Sequence, residues 1–316
     1  MADHALYWLA LGLIRLIQLL PLTWAARLGR GLGQLAYYLD GRHRRVAQRN
    51  LEATFGTTLG APQVQALAQE NFKRIGEAYC SGVKTSAMKP EEISRCLEFT
   101  GVEALRALHR EQPMCSAVGA IGHFGNFEIY AHMGRFVAGF HPAATFRGLR
   151  QPGLDRLLGK LRATSGCTFY ERRSGAAALK AALNQGGVLL GLLADQHGGD
   201  GGIALPFLNR TCSTNPAPAV LALRYRAPLF VAICYRIGLG RWKVEVSPFI
   251  PTHIDGRARP VEDIMREVNV QFEKAIHRDP ANWFWVHNRW KPMKPRRGAI
   301  TAPSPANPPP QEPSAG

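Results

Sequence analysis

The chain has 316 residues, 46% of them hydrophobic and 20% charged, enough to bury the core of one large body or two small ones. With 39 Lys and Arg against 23 Asp and Glu, it carries a net charge of +16 and a pI near 10.1, a field that draws polyanions such as nucleic acid, an anionic membrane surface or an acidic protein. Six scattered cysteines without a C-x-x-C pair argue against a disulfide framework or a zinc site and suit reduced thiols in a cytosolic setting.

The first predicted element is 5–22, ALYWLALGLIRLIQLLPL, an apolar stretch close to the roughly 20 residues that span a bilayer. It lacks a basic start and a small-x-small cleavage site, unlike a cleavable signal peptide. Arg15 near its middle would cost roughly 3 kcal/mol at a bilayer centre. On a helix, His4, Arg15 and Gln18 fall near one face. The stretch therefore reads as a tilted or interfacial membrane anchor ahead of a single span, with a buried core helix as the remaining alternative. Arg27, Arg30, Arg42, Arg44, Arg45 and Arg49 follow. Basic residues beside an anchor mark the cytoplasmic side and are attracted to anionic headgroups. The basicity then has a membrane explanation, and with no nucleic-acid motif in the chain, nucleic acid is not expected as a partner.

Helices are predicted over 44–55 and 63–82, separated by the loop GTTLGAP, and Pro90 with Glu91 and Glu92 opens another. CSAVGAIG (115–122) is a short apolar run closed by Gly, the pattern of a buried strand. Helical spacing resumes over 126–137, returns in a basic amphipathic segment at 154–165, and again at 174–187, ended by glycines. VLLGLLAD (188–195) is a second buried strand that ends on an acid. APLFVAICYRIG and RWKVEVSPFI add two strands, and 262–277 is a helix. Strands alternating with helices predict an α/β body with a largely buried sheet. Residues 296–316, rich in Pro, Ala and Ser without an apolar face, are expected to be a disordered tail. The organisation is thus an anchor and basic flank over 1–40, an α/β domain over 41–295, and the tail over 296–316.

The chemistry concentrates in GAIGHFGNFEIYAH, where His123 follows a strand and precedes a helix. Residues five apart diverge by about 140° on a regular helix. His123 in the turn and Glu128 in the first helical turn can nevertheless meet, with Gly122 and Gly125 giving backbone freedom. Glu128 would then fix the imidazole tautomer and leave the other nitrogen to take a proton from a hydroxyl, a general base. A metal site of His123, His132 and Asp195 is the competing reading, although no metal-ligand spacing supports it. A histidine that merely caps a helix is the bland one.

These residues resemble the H-x-x-x-x-(D/E) motif of membrane glycerolipid-type acyltransferases, and more specifically the late acyltransferases of lipid A biosynthesis, the lauroyl/myristoyl family. The likeness continues in order through TFRGLRQPGLDRLLGKLRATSG, LLADQHGGDGGIALPFLN and NWFWVHNRWKP, covering roughly 5–295. It implies a mixed central sheet flanked by helices, with an N-terminal hydrophobic anchor on the cytoplasmic face of the bacterial inner membrane. It also implies transfer of a fatty acyl group from acyl-carrier protein to a hydroxyl of a lipid A precursor, without metal or cofactor. His123 would be the base and Glu128 its orienting partner, with Arg162, Asp195 and Arg147 binding substrate. Another glycolipid or a lysophospholipid as acceptor, or a non-catalytic scaffold on anionic lipid, are the alternatives. The chain departs from the family at Leu208–Asn209, where an aromatic-glycine pair is frequent, and at Gln151, where Asn is.

Overall fold

The computed structural model describes residues 2–137 and 139–293; the tail expected over 296–316 lies outside the described residues. Pro21 breaks the apolar N-terminal stretch, so that it forms α1 (Ala2–Leu19) and the start of α2 (Leu22–Leu39). The expectation of a single anchoring element is corrected accordingly. Among the described residues no helix is long and apolar enough to cross a membrane.

After α3 (Gly41–Phe55) comes the long α4 (Ala61–Thr85), which α2 crosses at backbone contact. A Cβ on Gly29 would stand 2.3 Å from the Gly76 carbonyl oxygen, and one on Gly33 2.1 Å from that of Phe72. Only glycine permits this approach. Beside the crossing, the buried Glu77 carboxylate receives Arg30 from α2 at 3.3 Å and Arg236 at 2.9–3.0 Å. Arg30 also pairs with Glu70, and Arg74 joins Glu70 to Asp279.

The short α5 (Pro90–Ile93) starts at its proline as the sequence suggests, and β1 (Leu97–Thr100), α6 (Glu103–Glu111) and β2 (Ala117–Ile121) follow. The helix expected over 126–137 is instead a 3-10 turn, Phe127–His132, running into the single turn α7 (Met133–Phe136). Next come β3 (His141–Phe146), α8 (Pro152–Ala163), β4 (Thr168–Glu171), α9 (Ala176–Gln185) and β5 (Val188–Leu193). The hairpin β6 (Ile203–Phe207) and β7 (Arg210–Thr214), α10 (Ala217–Arg224), β8 (Leu229–Gly238) and β9 (Arg241–Val246) lead to the minor pair β10 (His253–Ile254) and β11 (Arg257–Ala258), and α11 (Val261–Arg278) closes the series.

Seven strands form one mixed sheet in the order β1-β9-β8-β2-β5-β3-β4. From β8 to β4 neighbours are parallel; β9 runs antiparallel to β8, and β1 lies parallel to β9. The central β2 and β8 are buried almost end to end because helices cover both faces. One core lies under α3, α4, α10 and α11, the other under α6 and the 127–136 segment. Parallel strands place their carboxyl ends together, the edge where α/β sheets bind ligands.

Candidate active site

The register of β2 against β5 pairs Ile121 with Leu193. Each chain runs on for two residues and then presents a polar group, His123 from one strand and Asp195 from the other. Gly122 makes the approach possible, since a Cβ there would lie 3.2 Å from the Asp195 Cβ and 2.7 Å from the Phe124 ring. Gly125 then turns the chain at φ +50°, and its N–H donates to the Asn282 carbonyl at 3.1 Å.

The imidazole Nδ1 of His123 donates to Asp195 Oδ1 at 2.8 Å, and the His123 backbone N–H donates to Oδ2 at 2.9 Å. The Trp283 indole N–H completes the set, donating to Oδ2 at 2.8 Å. Burial works to raise the pKa of this fully buried acid, but the His123 charge and the three hydrogen bonds outweigh it and hold the carboxyl below its ordinary 3.8. Asp195 is therefore an anion at neutral pH. With Nδ1 engaged by Asp195, Nε2 is the ring nitrogen left for other partners. The His123 ring stands between Phe127 (4.9 Å between centroids) and Phe284 (5.7 Å), with 14% of the side chain exposed.

Glu128 does not hold the imidazole. Both of its oxygens are taken by Arg162, at 2.6 Å from Nη2 and 3.0 Å from Nε, and the guanidinium lies over the Phe169 ring at 4.9 Å. The fork geometry of Arg suits such a two-point pair. The expected His123–Glu128 couple is thus corrected to His123–Asp195 beside Glu128–Arg162. Asp195, expected on the substrate side, has no exposed surface and spends both oxygens within the protein. Arg147 is exposed in the residue after β3, on the same carboxyl edge of the sheet. Among the described residues no group of three or more His, Cys, Asp or Glu is placed to hold a metal ion, and His132 does not join His123 and Asp195 in one.

The segment NWFWVHNRWK wraps this dyad. Trp283 and Trp285 are buried, and Phe124 bridges to Trp283 across the segment. The fully buried Arg289 donates to the Gln196 carbonyl at 2.7 Å and to Thr214 Oγ1 at 3.1 Å, tying the chain after Asp195 to β7. The His287 Nε2 accepts the His197 backbone N–H at 3.2 Å, and burial pushes its imidazole down to about 4. Trp283 and Trp285 thus pack into the core around the acid. The sequence did not disclose Trp283 as a partner of the acid.

A buried carboxylate that orients an imidazole at the carboxyl edge of an α/β sheet is a general-base device, able to deprotonate a hydroxyl or water. The chain belongs to the bacterial lipid A biosynthesis acyltransferases, whose family pattern matches residues 1–292. It is similar to the lipid A biosynthesis lauroyltransferase of Escherichia coli (strain K12), 25% identical over 289 residues covering 90% of this chain and 91% of that protein. It is also similar to a lipid A biosynthesis acyltransferase of Haemophilus influenzae (strain ATCC 51907 / DSM 11121 / KW20 / Rd), 26% identical over 295 residues and 90% of each chain.

Proposed function

We propose that this protein moves a fatty acyl group from the thioester of acyl-carrier protein to a hydroxyl of a lipid A precursor, with His123 as general base. The observation that carries the reading is the His123–Asp195 dyad within a chain that matches the lipid A acyltransferase family along nearly its whole length. Nε2 takes the hydroxyl proton as the oxygen attacks the thioester carbonyl. Collapse of the tetrahedral intermediate breaks the C–S bond, and the imidazolium returns the proton to the departing thiolate. Asp195 stabilises that imidazolium without accepting its proton. A thioester is already an activated donor, so a base and charge stabilisation suffice.

The lipid acceptor is met at the surface of α1 and α2. On α2, Ala25, Gly29, Gly33 and Tyr37 face α4, while Trp24, Leu28, Leu32, Leu35 and Leu39 are exposed on the opposite side. On α1, Trp8, Leu9, Leu13, Leu16 and Leu19 are exposed as well. Uncovered apolar faces of this kind, beside the arginines of α2 and α3, suit helices lying in the interface of an anionic membrane. Arg147 and the other cations of the sheet's carboxyl edge would meet the acceptor phosphates.

The test is an in vitro assay with purified protein, acyl-carrier proteins charged with chains of several lengths, and a tetraacylated lipid A precursor or a lysophospholipid as acceptor. Acyl transfer to the lipid A precursor is the expected result. Transfer to the lysophospholipid alone would move the acceptor assignment, and full activity of His123→Ala would rule out the base.

A further inference from the structure

The segment after α11 holds both halves of the dyad with consecutive residues. The Asn282 carbonyl accepts the Gly125 N–H at 3.1 Å and so steadies the turn that follows His123. The next side chain, the Trp283 indole, donates to Asp195 Oδ2 at 2.8 Å. The Asn282 side chain adds a tie to the sheet, donating to the Cys234 carbonyl on β8 at 2.9 Å. Yet Asn282 and Trp283 lie outside the seven strands of the sheet, so strand pairing does not place them.

Two buried asparagines from the N-terminal helices do. Asn71 of α4 gives one amide N–H to the Ala281 carbonyl at 2.9 Å and the other to the Trp283 carbonyl. Asn50 of α3 repeats the pattern further along, donating to the Trp285 and His287 carbonyls at 3.0 Å each. Every second carbonyl from 281 to 287 is thus held by a side-chain amide. Carbonyls only accept, so each amide can point only one way. Asparagine is the short side chain that offers two N–H groups without a charge; aspartate would face the carbonyls with acceptors, and leucine would leave them without these donors.

The two clamps differ in what they hold. Asn71 grips the residues on either side of Asn282, and it lines with Trp283 the hollow that contains His123. Asn50 grips Trp285 and His287, whose side chains bond the Pro280 carbonyl and the His197 N–H. At Asp195, the Trp283 indole and the His123 backbone N–H both donate to Oδ2. Together they fix the rotation of the carboxylate, which leaves Oδ1 facing the imidazole Nδ1.

We infer that Asn71 is a positioning residue for the reaction: by holding the Ala281 and Trp283 carbonyls it keeps the indole on Asp195, and so keeps Asp195 aligned with His123. Asn71 acts through Trp283 and touches no reacting atom. The inference rests on the reading of His123 as the base in acyl transfer.

The full-length protein, isotope-labelled at its indole nitrogens, is compared by NMR with Asn71→Ala, Asn71→Ser, Trp283→Phe and Asn50→Ala. Loss of one indole N–H signal in Trp283→Phe identifies it, and its displacement in Asp195→Asn marks the bond to the carboxylate. In Asn71→Ala that signal should move toward its Asp195→Asn position. In Asn71→Ser, which keeps one donor, it should move part of the way, and in Asn50→Ala it should stay. In acyl-transfer assays, Asn71→Ala and Trp283→Phe should each lower kcat on the order of tenfold with KM kept, the worth of one charge-assisted hydrogen bond. The double variant should lose no more than the worse single one, because both act through the same bond. Asn50→Ala should melt earlier than the parent yet keep its kcat per folded molecule. An indole signal unmoved in folded Asn71→Ala overturns the inference, and where that variant does not fold, an unmoved signal in Asn71→Ser does so. Additive losses in the double variant, or an Asn50→Ala protein that loses as much kcat as Asn71→Ala, overturn it as well. Should the parent transfer no acyl group from any donor, the acyl-transfer reading fails separately, and the indole signal still decides whether Asn71 places Trp283 on the acid.

Discussion

Among the described residues two acids are buried, Glu77 at the α2–α4 crossing and Asp195 at the carboxyl edge of the sheet, 1% and 0% exposed. Glu77 is gripped by two arginines and the Gly240 backbone N–H. Its arginine partners stay charged at any pH the protein meets, and the cluster joins α2, α4 and the β8–β9 hairpin. Asp195 instead holds an imidazole and an indole. In the proposed reaction that buried negative charge stabilises the imidazolium formed when Nε2 takes the hydroxyl proton. The two buried acids thus differ in their partners, permanently charged guanidiniums at one and an imidazole with an indole at the other.

The sharpest way to break this contrast is Asp195→Asn. Its shape is conserved but the imidazole loses its anion, and kcat should fall on the order of 10³–10⁴-fold in initial-rate assays, as for the acid of Ser-His-Asp triads. Glu77→Gln should do the converse, costing about 3–5 kcal/mol of stability in urea unfolding while activity per folded molecule is kept. Glu128→Gln lies between, because Arg162 loses its charged partner. A drop of roughly 10–100-fold in kcat/KM is expected, the worth of a charge-assisted hydrogen bond, with the pH optimum unmoved. The smallest effect concerns His287. Its folded pKa of about 4 lies below the ordinary 6.5, so the unfolded chain takes up a proton first. Stability is complete well above pH 6.5 and declines as pH falls toward 4, by about 2 kcal/mol at pH 5. Thermal melts across that window should show the slope in the parent and its loss in His287→Gln.

The strands that carry the dyad were legible because each is a buried apolar run, CSAVGAIG for β2 and VLLGLLAD for β5, and the mixed α/β class followed from their alternation with helices. Their adjacency was not. His123 and Asp195 are 72 positions apart, and only the β2–β5 register brings them together. The one local cue was symmetry, since each polar residue follows the end of a buried strand. Glu128 misled because it is near in sequence; it faces α8 instead of the strand end. The β6–β7 hairpin escaped notice because its turn is Leu208–Asn209, both at positive φ (49° and 60°), where a glycine would have announced it. The helix expected over 126–137 gave way to a 3-10 turn, in which Tyr130 turns inward to donate to the Ala232 carbonyl and accept from the Cys234 N–H.

The glycines of α2 carry unequal burdens. Gly31, with no atom within 4 Å of a would-be Cβ, is open to most side chains, whereas Gly29 and Gly33, one turn apart and pressed on the backbone of α4, admit none. Sequence drift along this helix is therefore confined to one side of it. The exposed columns can diversify, while the inner columns stay frozen.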